Sequence, residues 1–399
     1  MKFVGSIDAQ EYDAFVAAAV NGSVLQSAAW AKVKSGWEHS LTGLRDGAGN
    51  LVAAGLVLRR PLPLGLSFWY VPHGPVLDYG QPQILEAYLT GLTNFAKKFR
   101  AVAVRIDPPV AVKAGMLGEL PDDYDPEALD VMRRIEGVGF AHRGFVSGMT
   151  DTLQPRVIPV TLAPEGEFFA ALPKKSRTMA NNARNRYVDV TYGGAEVLDQ
   201  FLDVITETEK EKDIRLRSRA YYEQILDAFG SDARIYIASL DIADALTKYR
   251  NAQAEARAEL EGTPDNAKKK INRLTQEEQA AAKHIADLEE RQKVDGNQVT
   301  LAGVLMVRFG PSAEMLYAGT NRNYGNIPAQ HLMWVRALED GFADGLANVS
   351  LGGVDGSLDD SLMRFKSRFI PTIMEKLGEF QKNLIPPVAW AIDRYLGRR

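Results

Sequence analysis

Apolar positions along this chain follow two periods in turn. Short runs rich in β-branched or aromatic residues, bounded by Gly or Pro, predict strands at 51–59 (LVAAGLVLR), Leu66–Val71 (LSFWYV), 102–106 (VAVRI) and Val157–Leu162 (VIPVTL). Between the second and third of these, Leu85, Leu89, Leu92 and Phe95 recur at helical spacing within 82–99. Ahead of them, 1–45 reads as a strand, a helix around 9–19 and a second helix entered near Ser27; 128–138 is also helical. The same alternation resumes downstream. Helices are predicted at 165–187, 194–209, 220–229 and 329–341, and strands at 188–192, 234–239, Gln298–Phe309, 314–318 and near 348–351. The chain reads as α/β, with two similar halves whose mixed sheets are flanked by helices.

One stretch breaks the pattern. From 241 to 292 the strand signals vanish. Ile242, Leu246, Tyr249, Gln253, Ala256 and Leu260 step by three and four, and so do Ile271, Leu274, Glu278, Ala281, Ile285 and Leu288. Turn formers at 262–266 (GTPDN) separate the two series, so the segment predicts an antiparallel helical hairpin, each arm roughly 30 Å long. It interrupts a sheet and is therefore an inserted arm. Its interleaved charges suit a solvated spacer or a dimer contact; a surface for a large partner such as RNA is the other reading.

Composition narrows the chemistry. The 399 residues suffice for two domains, and 46% hydrophobic with 25% charged residues is the balance of a folded protein. Lys plus Arg is 47 and Asp plus Glu is 51, which argues against a globally basic nucleic-acid binder. No cysteine is present, excluding disulfides, thiolate metal sites and a cysteine nucleophile. The histidines at 39, 73, 142, 284 and 331 share no metal-ligand spacing, so no metal and no cofactor is expected. The acidic start and the lack of a long apolar run predict a cytoplasmic protein without a membrane span.

Some polar groups stand beside aromatic residues. Ser27 caps a helix on which Trp30 and Lys34 are neighbours, and Arg217 and Tyr221 repeat that spacing. Two basic residues on separate elements suit a diphosphate, although a lysine stem also simply covers an indole. His73 and Asp78 flank a Gly-Pro turn at the end of a strand, a common place for binding residues. Lys174, Lys175, Arg177, Arg184 and Arg186 form a basic helix suited to RNA or phosphate. The stretch 384–399 (LIPPVAWAIDRYLGRR) is apolar, then basic. It is a candidate contact with an anionic membrane face, or else a terminal helix packed on the first domain.

Taken in order, these motifs resemble the FemABX family. The resemblance rests on Q-S-x-x-W-x-x-V-K (26–34), G-P-V-x-D (74–78), V-x-R-I-D-P (104–108), Q-P-R (154–156), R-x-x-x-Y (217–221), Y-A-G-T (317–320), L-G-G-V…D-D-S-L…F-K (351–366) and L-G-E-F (377–380). It implies two tandem acetyltransferase-like domains: 1–155, completed by about 380–399, and 156–379, with 241–292 as a coiled-coil arm inserted in the second. The implied reaction moves serine, alanine or glycine from aminoacyl-tRNA to an amine of the peptidoglycan stem peptide or growing bridge. The acceptor would be the nucleotide-linked UDP-MurNAc-pentapeptide or its lipid-linked form, lipid II. The ester is already activated, so alignment and oxyanion stabilisation suffice.

By the same resemblance, Lys34 and Arg217 would hold the diphosphate with help from Tyr221. Asp78, Tyr317, Phe365 and Lys366 would line the acceptor–donor junction. Lys366 is then the expected cation at the oxyanion, and Asp78 the hydrogen-bond partner of the attacking amine or its peptide; a plainer reading makes Lys366 a surface lysine beside a core phenylalanine. His73 stands where the family often carries a basic residue, which leaves phosphate binding by its protonated form open. Two rivals share the fold: an acetyl-CoA-dependent N-acyltransferase and a non-enzymatic RNA-binding coiled-coil protein. The first wants a small residue where Ile327 ends the run 322–327 (RNYGNI).

Overall fold

The structure is a computed structural model that describes residues 1–149, 151–212 and 215–389. The first part of the chain lays down β1 (Lys2–Val4), β2 (Glu38–Arg45), β3 (Leu51–Leu62), β4 (Leu66–Val71), β5 (Val76–Leu77), β6 (Ala101–Ile106), β7 (Ala111–Gly115) and β8 (Ala141–His142). There follow β9 (Val157–Leu162), β10 (Val188–Gly193), β11 (Ala233–Asp241), β12 (Gln298–Phe309), β13 (Ser312–Thr320), β14 (Asn348–Ser350), β15 (Thr372–Lys376) and β16 (Phe380–Asn383). They form two sheets, ordered β1-β2-β3-β4-β6-β16-β8, with β5 beside β3, and β10-β11-β12-β13-β14-β9-β15-β7.

Each sheet contains one parallel pair, β4 with β6 and β13 with β14. Parallel neighbours need a crossover, and a helix supplies it in both: Pro82–Lys98 in the first sheet and Ala329–Ala343 in the second. Leu85, Leu89 and Leu92 of the first crossover helix are buried in one cluster with Val57 and Trp69 of the sheet. This repeated unit is the theme legible twice in the sequence. The halves also exchange strands. β16 returns to the first sheet beside β6, whereas β7, from residues 111–115, pairs with β15 in the second. A cut at residue 155 therefore does not separate the sheets. A continuous core joins them, in which Tyr12, Val16 and Trp30 share a cluster with Phe201, Tyr222 and Ile225.

The inserted arm is formed by helices Ile242–Glu261 and Lys268–Asp295. Its second helix has 28 residues, about 42 Å at 1.5 Å per residue, so the arms are unequal. Leu274, Ala281 and Leu288 are buried along the seam with Tyr249 and Ala256. The polar seam positions meet each other: Gln253 Nε2 donates to Glu278 Oε1 at 2.8 Å, and Arg257 joins the same oxygen at 2.7 Å. Pairs Arg250–Glu289 and Lys270–Glu259 lace the outside.

Two local readings differ from expectation. The helix expected over 165–187 is broken by Pro173 into Phe168–Ala171 and Lys174–Arg184, because the residue before a proline is driven out of helical geometry. The stretch after Ser27 is a helix of six residues, Ala28–Val33, followed by β2. β2 reads poorly because its buried run is only Thr42-Gly43-Leu44, and the polar Thr42 satisfies its hydroxyl on Gly55 O at 2.8 Å and on the Tyr88 hydroxyl.

Candidate active site

Helix Ala28–Val33 of the first half packs on helix Arg219–Phe229 of the second, and this contact builds one side of the site. Ser27 caps the first helix, its Oγ accepting from Trp30 N at 3.1 Å, and the helix ends at Lys34. Lys34 Nζ donates to the Tyr221 hydroxyl at 3.0 Å and lies 4.9 Å from the Trp30 ring centroid. Arg217 Nε donates to the Tyr317 hydroxyl at 3.3 Å, and its guanidinium stands 5.3 Å from the Tyr221 ring. Burial and the neighbouring Arg217 charge pull the Lys34 ammonium down to about 8. Among the described residues neither cation has a carboxylate within ion-pair distance. Two cations held together by tyrosines rather than acids have the chemistry that suits an anion.

Tyr317 continues from that site into a cavity of about 490 Å³ whose walls include Thr320, Arg322, Trp334, Gly352, Phe365 and Lys366. Lys366 is only 5% exposed, which corrects the reading of it as a surface lysine. Its Nζ donates to Gly352 O at 2.8 Å and Gly353 O at 2.9 Å, fixing the ammonium at the wall. Gly352 has φ 76, the left-handed region that glycine enters freely, and this turn aims both carbonyls at Lys366. Phe365 packs edge-on against Trp334 at 5.1 Å. In Y-A-G-T the glycine is steric: a Cβ on Gly319 would come within 2.5 Å of Val204 O.

Lys34, Arg217, Tyr221, Tyr317, Phe365 and Lys366 thus make one continuous surface. Asp78 does not join it. Its carboxylate is exposed, accepts from Gly80 N and Gln81 Nε2 at 2.9 Å each, and borders a different cavity with Phe15, Val52 and Tyr79. His73 is 4% exposed, at φ 46. Its backbone N–H donates to Asp107 Oδ1 at 2.6 Å and its Nδ1 lies 3.2 Å from Ser23 Oγ. Burial, with Lys376 nearby, pushes the imidazole well below its usual range, so it stays neutral and offers a phosphate no charge. Its visible work is to hold the turn. In the run 322–327, Arg322–Tyr324 is a short 3-10 turn anchored by Tyr324, whose hydroxyl donates to Asp295 Oδ2 at 2.6 Å.

Several motif residues prove to be framework. Gln26, wholly buried, accepts from the Tyr12 hydroxyl at 3.0 Å and Leu56 N at 2.8 Å, and donates to Pro72 O. Arg105 reaches Gln381 Oε1 at 2.6 Å and Glu379 Oε2 at 3.1 Å, tying V-x-R-I-D-P to L-G-E-F. Sequence reasoning missed a further group. Asp107 is buried and its carboxyl pushed well above the usual range by burial, against the pull of Lys376; burial in turn lowers Lys376, which Asp107 and Glu314 support. Asp107 stood in the motif V-x-R-I-D-P and Glu314 and Lys376 near strand ends, but nothing in the sequence places those ends together.

Comparison with known proteins agrees with this architecture. The model of the FemAB family matches residues 7–396. Lipid II:glycine glycyltransferase of Staphylococcus aureus is 28% identical over 408 residues, covering 96% of this chain and 94% of that protein. The crystal structure of FemX superposes with a TM-score of 0.79 at 25% identity, over 98% of this chain and 100% of FemX. A tandem GNAT protein from the clavulanic acid pathway shares the fold at a TM-score of 0.50 and 10% identity, over 96% and 98% of the two chains. With two acetyltransferase-like domains, a shared cleft and a family match over nearly its whole length, the chain belongs to the FemAB family and is an aminoacyltransferase.

Proposed function

We propose that this chain transfers serine, alanine or glycine from aminoacyl-tRNA to an amine of the peptidoglycan stem peptide or growing bridge, with lipid II or UDP-MurNAc-pentapeptide as acceptor. One observation carries this reading: a pair of cations, Lys34 and Arg217, with no carboxylate at ion-pair distance among the described residues, opens through Tyr317 into a cavity walled by a fixed lysine ammonium. The diphosphate would sit on Lys34 and Arg217, and the stem peptide would run past Tyr317 to Lys366. There the amine nitrogen attacks the ester carbonyl carbon. The carbonyl π electrons move to oxygen, where Lys366 opposes the developing charge; their return expels the ribose oxygen, which takes up the proton the amine loses. Asp78 lies outside this cavity, its carboxylate taken up by Gly80 N and Gln81 Nε2, and has no part in this scheme.

The glycyltransferase relative supports this reading, since its name specifies lipid II and glycine. No helix of the described residues is long and apolar enough to cross a membrane, so a lipid-linked acceptor would be met from the membrane face. The deciding experiment offers radiolabelled seryl-, alanyl- and glycyl-tRNA with each acceptor in turn. Amide product from one donor and release of uncharged tRNA are expected. Folded protein that forms no product with any pairing, yet acetylates an amine from acetyl-CoA, would overturn the proposal.

A further inference from the structure

From the first sheet we infer a docking surface for an anionic lipid membrane, centred on the β3–β4 hairpin. The hairpin tip reads Leu62-Pro63-Leu64-Gly65-Leu66. Leu64 is 84% exposed, and its φ of 63 lies in the left-handed region that glycine or asparagine enters more easily. A bulky apolar residue at the apex of a strained turn and wholly in water is unfavourable on both counts, unless something apolar receives it. Phe99 is 46% exposed beside it, at the end of helix Pro82–Lys98. The register places the two together: Leu62 pairs with Leu66, Ser67 pairs with Ala101, and Ser67 Oγ reaches Phe99 O.

Charge supplies the second, independent observation. Lys97, Lys98 and Arg100 are exposed around Phe99, and the Arg100 guanidinium lies 3.6 Å from the position a Cβ on Gly65 would take. Arg60 stands on β3 behind the tip. Three segments converge on this edge, 51–77, 87–106 and 380–389, and none contains an Asp or Glu. The acid recorded nearby is Glu38, 3.5 Å from Arg59. An apolar apex with a collar of cations and almost no acid matches the face an interfacial protein turns to an anionic leaflet. The chain's described part also leaves along this edge, where Leu384 N and Ile385 N donate to Val102 O at 2.9 and 3.1 Å. Residues 390–399, WAIDRYLGRR, lie outside the described residues.

The position suits the reaction proposed above, on which only its purpose rests. β2 begins at Glu38, opposite Arg59, so Lys34 lies four residues upstream of the same edge. A diphosphate at the membrane surface would then meet Lys34 while the apex sits among the lipids.

The test is sedimentation of the full chain with vesicles of phosphatidylcholine alone, or of equal parts phosphatidylcholine and phosphatidylglycerol. The chain is expected to sediment with the anionic vesicles. Leu64→Glu should lower the partition coefficient about tenfold, the scale of burying one leucine. Lys97→Gln with Lys98→Gln should lower it about thirtyfold, at the worth of a near-surface cation taken twice. Transfer to the water-soluble nucleotide-linked acceptor should match wild type in both variants, which checks their folding.

Wild type that stays in the supernatant, or variants that sediment like it, would overturn the inference. So would self-association that Leu64→Glu abolishes without any vesicle binding, since a second copy would then cover the face. Vesicle binding without transfer would leave this surface standing and sink the reaction. Transfer to a detergent-dispersed acceptor without vesicle binding would do the reverse.

Discussion

Lys34 and Lys366 are both withdrawn from water, yet their surroundings divide the labour. Lys366 is clamped by two carbonyls, which fix its place. Lys34 shares its space with Arg217 and falls to about 8. An anion binding there restores the charge, so affinity for a nucleotide-linked acceptor should weaken as pH rises through about 8 and Lys34 deprotonates. Lys34→Arg should flatten that dependence, because guanidinium stays charged; titration calorimetry from pH 7 to 9 (about one unit either side of the midpoint) checks it. Gln26 makes a different kind of prediction. Gln26→Leu leaves Leu56 N–H, the Tyr12 hydroxyl and Pro72 O without their partner, and should cost about 3 kcal/mol in denaturant unfolding. Residues with a motif role were legible; whether that role was contact or framework was not. Gln26, Arg105 and Lys366 look alike as polar letters in a pattern, and only the direction of the side chain separates them.

At the scale of elements, the arm was the most legible part, since a heptad seam of some fifty residues allows few alternatives. The match of Gln253 to Glu278 shows why its polar positions do not break it. Its root was harder to read. Ile242, Ala245, Leu246, Tyr249 and Leu288 are buried in the core of the second domain, and Tyr249 stacks on His284 at 4.9 Å. Replacing 245–293 would therefore open that core. Joining Arg250 to His284 by a short Gly/Ser turn removes the shaft alone. If the arm contacts the donor, that variant should keep its melting temperature and acceptor affinity while KM for charged tRNA rises about tenfold or more, the order expected from losing a few phosphate contacts. An unchanged KM would assign the arm elsewhere. Short strands were the least legible elements. β7, β8 and β16 have two to five residues each and owe their existence to partners far along the chain.

For the whole molecule, the doubling of the α/β theme could be read, and the family resemblance already implied that the last segment returns to the first half; the crossing of β7 into the second sheet could not be read, because its pairing with β15 is a property of tertiary contact. That exchange gathers Asp107, Glu314 and Lys376 where the halves meet. Lys376→Met should destabilise the protein by about 3 kcal/mol near neutral pH by leaving carboxylates buried without their cation. Burial already raises the folded-state Asp107 and Glu314 carboxyls, so they bind protons more readily folded than unfolded. The deficit of Lys376→Met should accordingly shrink as pH falls and both are neutralised, which unfolding curves at two pH values would reveal. If the two halves serve one reaction, single-turnover transfer from charged tRNA by wild type and Lys366→Ala will show it. The rate should fall about 10²–10³-fold, as for loss of one oxyanion donor, with acceptor binding unchanged. A Lys366→Ala protein that binds acceptor and transfers at the wild-type rate would contradict it.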